Sequence, residues 1–193
     1  MAVATERMPP AGIGIRPAGK ADLDAINRVI KAAVMSWRLP ERVRRLALPA
    51  YRYSDFDLEC LEAVVATDMR GQIIGVATWE ETTGADVPAG SVALQLHGIH
   101  VHPACHGRGI GRRLFRTAET AVHRQHCAGL LVRAQRDACG FFVALGMQRL
   151  VVERPGRDYA HRFWKPAGQP GTQDSAARPV EYPPSGDGAI PGQ

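Results

Sequence analysis

The residues best suited to chemistry lie in one glycine-rich segment, residues 94–114, which reads LQLHGIHVHPACHGRGIGRRL. Residues 107–113 of this segment carry three glycines and three arginines, namely Gly107, Gly109, Gly111, Arg108, Arg112 and Arg113. Glycine lets the main chain approach a ligand closely, and the first turn of a helix presents unpaired N–H groups and a positive dipole end. With the arginine charges added, this segment predicts a cradle for an anion such as a diphosphate.

Two other phosphate-binding patterns do not fit this segment. A dinucleotide fingerprint beginning at Gly107 needs glycine at position 112, where the chain has Arg112. A Walker loop needs Gly-Lys followed by Ser or Thr, which is missing here. On the glycines alone, an ordinary turn before a solvated basic helix stays open as the other interpretation.

The elements around the segment are predicted from hydrophobic periodicity. A strand is expected at residues 92–101 before the glycines and an amphipathic helix at residues 109–125 after them. Further strands are expected at residues 13–16, 63–68, 73–79, 130–133, 148–153 and 159–165, and further helices at 21–35, 40–48 and 137–145. Residues 51–60 are expected to be irregular. This order predicts a mixed α/β sheet.

Composition divides the 193 residues into a folded body and two ends. Residues 166–193 contain six Pro and five Gly with few large apolar side chains, and residues 1–11 are similar. Such segments bury too little apolar surface to offset the entropy of ordering. We therefore expect disorder at both ends and one domain at residues 12–165.

The charge and the cysteine content indicate which classes of partner and which cellular compartment to expect. The net charge of +5 suggests an anionic partner, but the arginines gather at one turn without interleaved aromatic residues, so no nucleic acid is expected. The longest apolar run, residues 138–147, is too short to cross a membrane. Four cysteines without a C-x-x-C spacing favour a reducing, cytoplasmic location.

A second segment, residues 135–147 (QRDACGFFVALGM), gives the glycine-rich loop a family context. The two together resemble the GNAT superfamily of acyl-CoA-dependent N-acyltransferases. The loop motif of that family, Q/R-x-x-G-x-G/A, corresponds to residues 106–111, and its helix motif, N-x-x-A-x-x-F-Y-x-x-L-G-F, corresponds to residues 135–147. The resemblance is specific over residues 92–150 and extends to residues 12–80 through element order.

The resemblance implies a fold, a co-substrate and a site. The fold is a mixed, mostly antiparallel central sheet of six to seven strands flanked by about four helices. The co-substrate is acetyl-CoA, with no metal. The residues expected to bind it are Ile99, His100, Val101, His106, Gly107, Arg108, Gly109, Ile110, Gly111, Arg112, Gln135 and Phe141.

Three positions depart from the family motifs. His106 replaces the usual Gln or Arg, which removes one side-chain contact but leaves the backbone cradle. Gln135 replaces Asn with a longer amide that can still reach the pantetheine. Phe142 replaces the tyrosine that protonates the departing thiolate in many relatives. Cys139, Tyr159 and bulk water are weak substitutes for that acid.

His97 is the candidate general base. An alkylamine is neutral in only about one molecule in 2,500 at pH 7, so a group that takes its proton matters. Strict alternation would place Gln95, His97, Ile99 and Val101 on one strand face, and relatives carry Glu or His at positions 95 and 97. Gly98 fits the strand bulge of the family. A structural histidine is the alternative.

Six of the seven histidines lie between residues 97 and 126, together with Cys105 and Cys127. Because no C-x-x-C pair occurs among them, and alternation along the strand places His100 and His102 on one face and His97 on the other, no metal site is expected. Aromatic and acidic residues such as Trp37 and Tyr51 could line an amine pocket but are not assigned to it.

The sequence thus predicts an N-acetyltransferase that acts on a primary amine of a small molecule or a protein by direct attack in a ternary complex. The alternative is a catalytically weak GNAT-like module that binds acyl-CoA. A homodimer stays open.

Overall fold

Seven strands form one sheet in the order β1-β2-β3-β4-β5-β7-β6. The structure is a computed structural model that describes residues 12–84, 86–153, 156 and 159–168. The strands are β1 (Gly14–Pro17), β2 (Glu62–Thr67), β3 (Ile73–Thr82), β4 (Ala93–Val101), β5 (Gly129–Arg133), β6 (Gln148–Arg149) and β7 (Arg162–Pro166). Every neighbouring pair is antiparallel except β4 and β5, which are parallel.

Five α-helices accompany the sheet in the described part of the chain. They are α1 (Leu23–Met35), α2 (Glu41–Ala47), α3 (Asp55–Cys60), α4 (Ile110–Arg124) and α5 (Cys139–Val143). Short 3-10 helices occur at Lys20–Asp22, Leu48–Tyr51, Pro103–Cys105 and Arg136–Ala138. The predicted mixed, mostly antiparallel sheet is confirmed, with one helix more than the expected four.

The two faces of the sheet carry separate hydrophobic clusters. On one face, α4 buries Leu114 and Phe115 against Leu94 and Leu96 of β4. On the other, α1 buries an apolar stripe against β2 and β3, formed by Ile26, Ile30, Val34, Val65 and Val76. Neighbouring strand residues therefore belong to opposite clusters, as the two-residue period of a strand requires.

Helix α3 corrects the expectation that residues 51–60 are irregular. The Ser54 hydroxyl accepts a hydrogen bond from the Asp57 N–H, and the Asp57 carboxylate accepts one from the Ser54 N–H at 2.6 Å. This is a capping box, and its S-x-x-D pattern is present in the sequence. The predicted strand 148–153 is also too long, because β6 covers only Gln148–Arg149.

The two terminal segments that are predicted to be disordered fall mostly outside the described residues. All of residues 1–11 lie outside them, and so do residues 169–193 of the C-terminal segment. At the body's end, β7 runs through Pro166, and the Ala167 N–H donates to the Ala128 carbonyl at 2.8 Å. In the described residues no helix has the length and apolar character needed to span a bilayer.

Asn27 of α1 fixes the segment between α2 and α3. Its side-chain Nδ2 donates to the Tyr53 carbonyl at 2.8 Å, and its Oδ1 accepts from the Tyr53 N–H at 3.0 Å. Asn27 is only 8% exposed, so its buried amide depends on these partners inside the protein. The Arg44 guanidinium of α2 adds a bond to the Met35 carbonyl at 2.6 Å.

His100 is a buried polar residue on β4. It is 7% exposed, and this burial lowers the pKa of its imidazole from 6.5 to about 4. The ring is therefore neutral in the folded protein at neutral pH. Its Nε2 covers Gly98, since a Cβ built there would lie 2.7 Å from that atom.

We expect Asn27→Leu to lower the free energy of unfolding by about 2–4 kcal/mol, because it removes two part-buried hydrogen bonds to the Tyr53 backbone. Urea denaturation measures this loss. Lys31→Ala, on the exposed side of the same helix, is the matched control and should change the free energy by less than about 0.5 kcal/mol. An Asn27→Leu loss as small as that of the control would contradict the prediction.

His100 should make the stability depend on pH. As the pH falls below 6.5, the unfolded chain takes up a proton that the folded ring resists until about pH 4. The contribution of His100 to the free energy of unfolding is thus complete above the pKa of the unfolded chain. Below that pH the free energy of unfolding declines, by about 2 kcal/mol between pH 7 and pH 5. Urea titrations at these two pH values measure it. His100→Gln should flatten the difference and the surface variant His123→Gln should keep it; an equal decline in both variants would exclude His100 as the source.

Candidate active site

A gap between β4 and β5 is the central feature of the site. The two strands pair only at Leu94 with Leu130, Gln95 with Leu131 and Leu96 with Val132. Beyond Leu96, β4 continues to Val101 along β3 without its parallel neighbour. The two strands therefore separate where β4 approaches the glycine-rich loop.

The backbone of β4 directs hydrogen-bonding groups into this gap. The His102 N–H donates to the Ile74 carbonyl of the β3 side at 2.9 Å. In an antiparallel pair, alternate residues bond to the partner strand, so the N–H groups of Ile99 and Val101 face the other way. The Val101 carbonyl also faces away from β3, and the His106 Nε2 donates to it at 3.0 Å. Two main-chain donors are thus available at the gap.

A bulge interrupts β4 at His97. Thr78 of β3 pairs with Gly98, and the next residue, Trp79, pairs with Leu96, so His97 is the additional residue. The bulge predicted from Gly98 is confirmed.

The same bulge corrects the predicted strand faces. Ile99 and Val101 pack against the cluster under α4 that also contains Leu96. Strict alternation, which would place Ile99 and Val101 on the face of His97, is wrong because the extra residue shifts the period by one.

His97 is held by a carboxylate from the neighbouring strand. Its Nε2 lies 2.8 Å from Oε1 of Glu80, and their side chains are 29% and 45% exposed. With the Nε2–H donated to Glu80, the other ring nitrogen, Nδ1, is the one that can accept a proton. Glu80 did not emerge from the sequence, because a cross-strand contact depends on register rather than on spacing along the chain.

Asp57 of α3 lies close enough to His97 for their charges to interact. The pKa of Asp57 is lowered, first by the hydrogen bond from the Ser54 hydroxyl and in small part by the charge of His97. The surroundings of His97 are therefore negative, which suits a cationic group that must lose a proton.

The glycine-rich loop forms an open cradle before α4. Gly107 and Gly109 have φ angles of +75° and +76°, and no atom lies within 4 Å of a Cβ built on either. The first bond of the helix runs from the Arg113 N–H to the Gly109 carbonyl at 3.1 Å, so the earlier amides point outward. The first turn contains no acidic residue. The predicted anion site thus has open space, free main-chain donors and a positive helix end.

The arginines of the loop divide into two groups. Arg108 and Arg112 are exposed beside the cradle. Arg113 instead donates to the Ile13 carbonyl at 2.8 Å and so contacts the start of the first strand. The sequence expectation that Arg113 also charges the cradle is therefore not met.

Gln135 and Tyr51 meet across the gap. Gln135 follows the end of β5, and its Nε2 donates a hydrogen bond to the Tyr51 hydroxyl. The Tyr51 ring packs edge-on against Trp37 at 4.9 Å and against His100 at 6.2 Å. Burial raises the pKa of Tyr51, against the opposing effect of the Gln135 hydrogen bond. The contact joins residues 84 positions apart, which no local pattern could indicate.

The two phenylalanines of α5 have different surroundings. Phe142 is 5% exposed and packs between Phe115 and Phe163, with ring centroids 6.3 and 6.0 Å away. Phe141 is more exposed and lies against Gly111 of α4, 3.2 Å from a Cβ built there. Position 142 therefore contributes to the core, whereas Phe141 reaches the start of α4, near the cradle.

A metal centre has no support in the described segments, where no three His, Cys, Asp or Glu side chains gather closely enough to hold an ion. The expectation of a metal-free site stays a prediction.

Solved structures share this architecture. A GCN5-related N-acetyltransferase from Kribbella flavida aligns with 81% of this chain and 99% of its own, with a TM-score of 0.57 and 19% identity. A GNAT family acetyltransferase from Brucella melitensis, in complex with acetyl-CoA, aligns over 81% and 88% with a TM-score of 0.56 and 20% identity. A GCN5-related N-acetyltransferase from Ralstonia eutropha JMP134 aligns over 75% and 98% with a TM-score of 0.62 and 16% identity. These likenesses show the fold.

Sequence comparison supplies the family. No curated protein sequence matches the chain. The profile of the acetyltransferase (GNAT) family matches residues 31–147, which include β4, the glycine-rich loop and α5. Because this match covers more than half of the chain and agrees with the fold, the protein belongs to the GNAT family of acetyltransferases.

Proposed function

We propose that the protein transfers an acetyl group from acetyl-CoA to a primary amine of a small molecule or a protein, by direct attack in a ternary complex. The observation that carries this proposal is the open cradle of Gly107 and Gly109 beside the gap between β4 and β5. It offers donors for a diphosphate and, along β4, donors for an extended chain. The acetyl-CoA bound to the Brucella melitensis relative supports the same co-substrate here.

Three groups of residues would hold the co-substrate. The cradle and the first turn of α4 would bind the diphosphate through main-chain amides and two arginines. The N–H groups of β4 would bind the pantetheine and the thioester oxygen, and Gln135 and Phe141 would contact it from the β5 side. The residues are Ile99, His100, Val101, His106, Gly107, Arg108, Gly109, Ile110, Gly111, Arg112, Gln135 and Phe141. Among them, His106 would act by securing the Val101 carbonyl, and His100, whose backbone faces β3, would act through its ring, which packs against Tyr51.

His97 is the base in this proposal. The amine nitrogen must be neutral to attack the thioester carbonyl, and Nδ1 of His97 can accept its proton directly or through water. Glu80 keeps the ring oriented through Nε2 and stabilises the positive charge that develops on it. The exposed position of both side chains lets an acceptor amine approach from solvent.

A catalytically weak acyl-CoA-binding module is the second candidate, favoured by the burial of Phe142 where relatives carry the acidic tyrosine. A thiol-release assay with acetyl-CoA and a panel of amines separates the two. Release that depends on an amine supports the transferase. Binding of coenzyme A without such release supports the module.

Gly109→Glu should weaken coenzyme A binding at least about 100-fold, because it places a carboxylate in the cradle and removes charge-assisted hydrogen bonds. Isothermal titration calorimetry measures the affinity. Gly71→Glu is the matched control, since Gly71 also has a positive φ, +74°, and open space around it but lies in the turn between β2 and β3. Equal affinity in the two variants would exclude the cradle as the diphosphate site.

His97→Ala should lower kcat about 100-fold while the affinity for coenzyme A stays within threefold, because a general base acts on the amine and not on the nucleotide. Glu80→Gln should have a smaller effect in the same direction. Steady-state kinetics and calorimetry provide the two readouts. Glu81→Gln, at the next position of β3, is the control for the loss of one surface charge; a kcat of wild-type size in His97→Ala would remove His97 from the mechanism.

A further inference from the structure

The core position of Phe142 leaves the departing sulfur without the acid that the family motif supplies. Phe142 has no hydroxyl, and the rings of Phe115 and Phe163 flank it. The nearby thiol of Cys139 is engaged at 3.6 Å with the Gln135 carbonyl. If a side chain protonates the sulfur, it must reach the gap from another element.

We propose that Tyr51, from the 3-10 helix after α2, donates a proton to the sulfur of coenzyme A as the thioester breaks. This role rests on the proposed acetyl transfer and assigns its general acid. The Tyr51 hydroxyl contacts Gln135, which follows β5 and occupies the asparagine position of the family's helix motif.

The neighbours of Tyr51 place its hydroxyl over the gap. Gln135 follows β5 and so belongs to one wall, while His100 belongs to β4 and so to the other. Tyr51 contacts both, through its hydroxyl on the β5 side and through its ring edge on the β4 side. The ring of His100 in turn covers Gly98, the residue after His97. Gly98 and His100 therefore connect the proposed base, His97, with the proposed acid, Tyr51, beside the gap.

The direction of the Gln135 hydrogen bond leaves the phenolic proton available. Gln135 Nε2 can only donate, so the Tyr51 oxygen accepts and its own hydrogen is not used in that bond. Burial raises the pKa of Tyr51, with Tyr159 adding to this effect, so the phenol is protonated at neutral pH. Neutral His100 does not place a charge beside it.

The reaction balances with these two groups. The amine nitrogen forms a bond to the thioester carbon and gives one proton to His97. The carbon–sulfur bond then breaks, its electron pair goes to sulfur, and the Tyr51 proton forms the S–H bond. The tyrosinate regains a proton from solvent and the imidazolium of His97 loses one to solvent. The net products are the N-acetylated amine and coenzyme A.

Tyr53 provides a matched control for Tyr51. It lies two residues away, but its hydroxyl is 2.5 Å from Thr78 Oγ1 in the sheet and is committed there. The rings of both tyrosines contact the cluster under α1. Replacing either residue by phenylalanine removes one hydroxyl and keeps the ring.

The decisive experiment compares the binding of coenzyme A with that of desulfo-coenzyme A, an analogue without the sulfur, by calorimetry at mildly alkaline pH. Tyr51→Phe should weaken coenzyme A binding about tenfold, because a hydrogen bond to the sulfur is lost, and should leave the analogue unaffected. It should also lower kcat about tenfold with little change in the KM of the amine. Tyr53→Phe should preserve the ratio of the two affinities.

The possible results separate the two proposals. Equal weakening of both ligands by Tyr51→Phe, or unchanged kcat, would overturn the role of Tyr51 and leave acetyl transfer standing. A wild-type chain that binds neither ligand would overturn acetyl transfer itself.

A second variant covers the case in which Tyr51→Phe does not fold. Replacing Tyr51 by 3,5-difluorotyrosine, a more acidic phenol of the same shape, should move the alkaline decline of kcat to lower pH. An unchanged pH profile would overturn the proposal.

Discussion

The separation of β4 from β5 after Leu96 is the constraint on which the site depends. A parallel pair that continued would have used the N–H groups of Ile99 and Val101 within the sheet. Instead these donors face a gap, and unpaired main-chain donors are tolerated where water or a ligand can reach them. The same separation leaves room for Gln135 and Tyr51 to meet across it. One break in the sheet therefore creates both the donors and the space.

The bulge at His97 adjusts β4 to this gap. One additional residue keeps Leu96 and Ile99 on the face that α4 covers, so the core stays apolar on both sides of the bulge. It also releases His97 from the regular pairing and lets the ring reach Glu80. A catalytic side chain on a rigid strand can be oriented more accurately than one on a loop. The strand thus serves the core and the proposed chemistry with adjacent residues.

Sequence patterns predict the parts of this structure that depend on interactions between residues close together in the chain. The amphipathic period of α4 and the glycines before it follow from sequence spacing, and the structure has both. The pairing of His97 with Glu80 depends on strand register, and the contact of Gln135 with Tyr51 depends on the packing of distant segments. Neither contact can be predicted from the spacing of residues along the chain. Helix α3 is different, because the S-x-x-D pattern of its capping box, Ser54 and Asp57, is visible in the sequence and indicates the start of a helix there.

The site and the stability of the fold share one structural connection. Asn27 of α1 bonds the backbone of Tyr53, and Tyr53 bonds the sheet through Thr78, the residue opposite Gly98. Tyr51 lies two residues before Tyr53 in the segment that Asn27 holds. A hydroxyl that must meet a sulfur within hydrogen-bond distance tolerates little displacement. The hydrogen bonds at Tyr53 therefore offer a means of holding the proposed acid in position, because they fix the short segment between α2 and α3 where the proposed chemistry would need it.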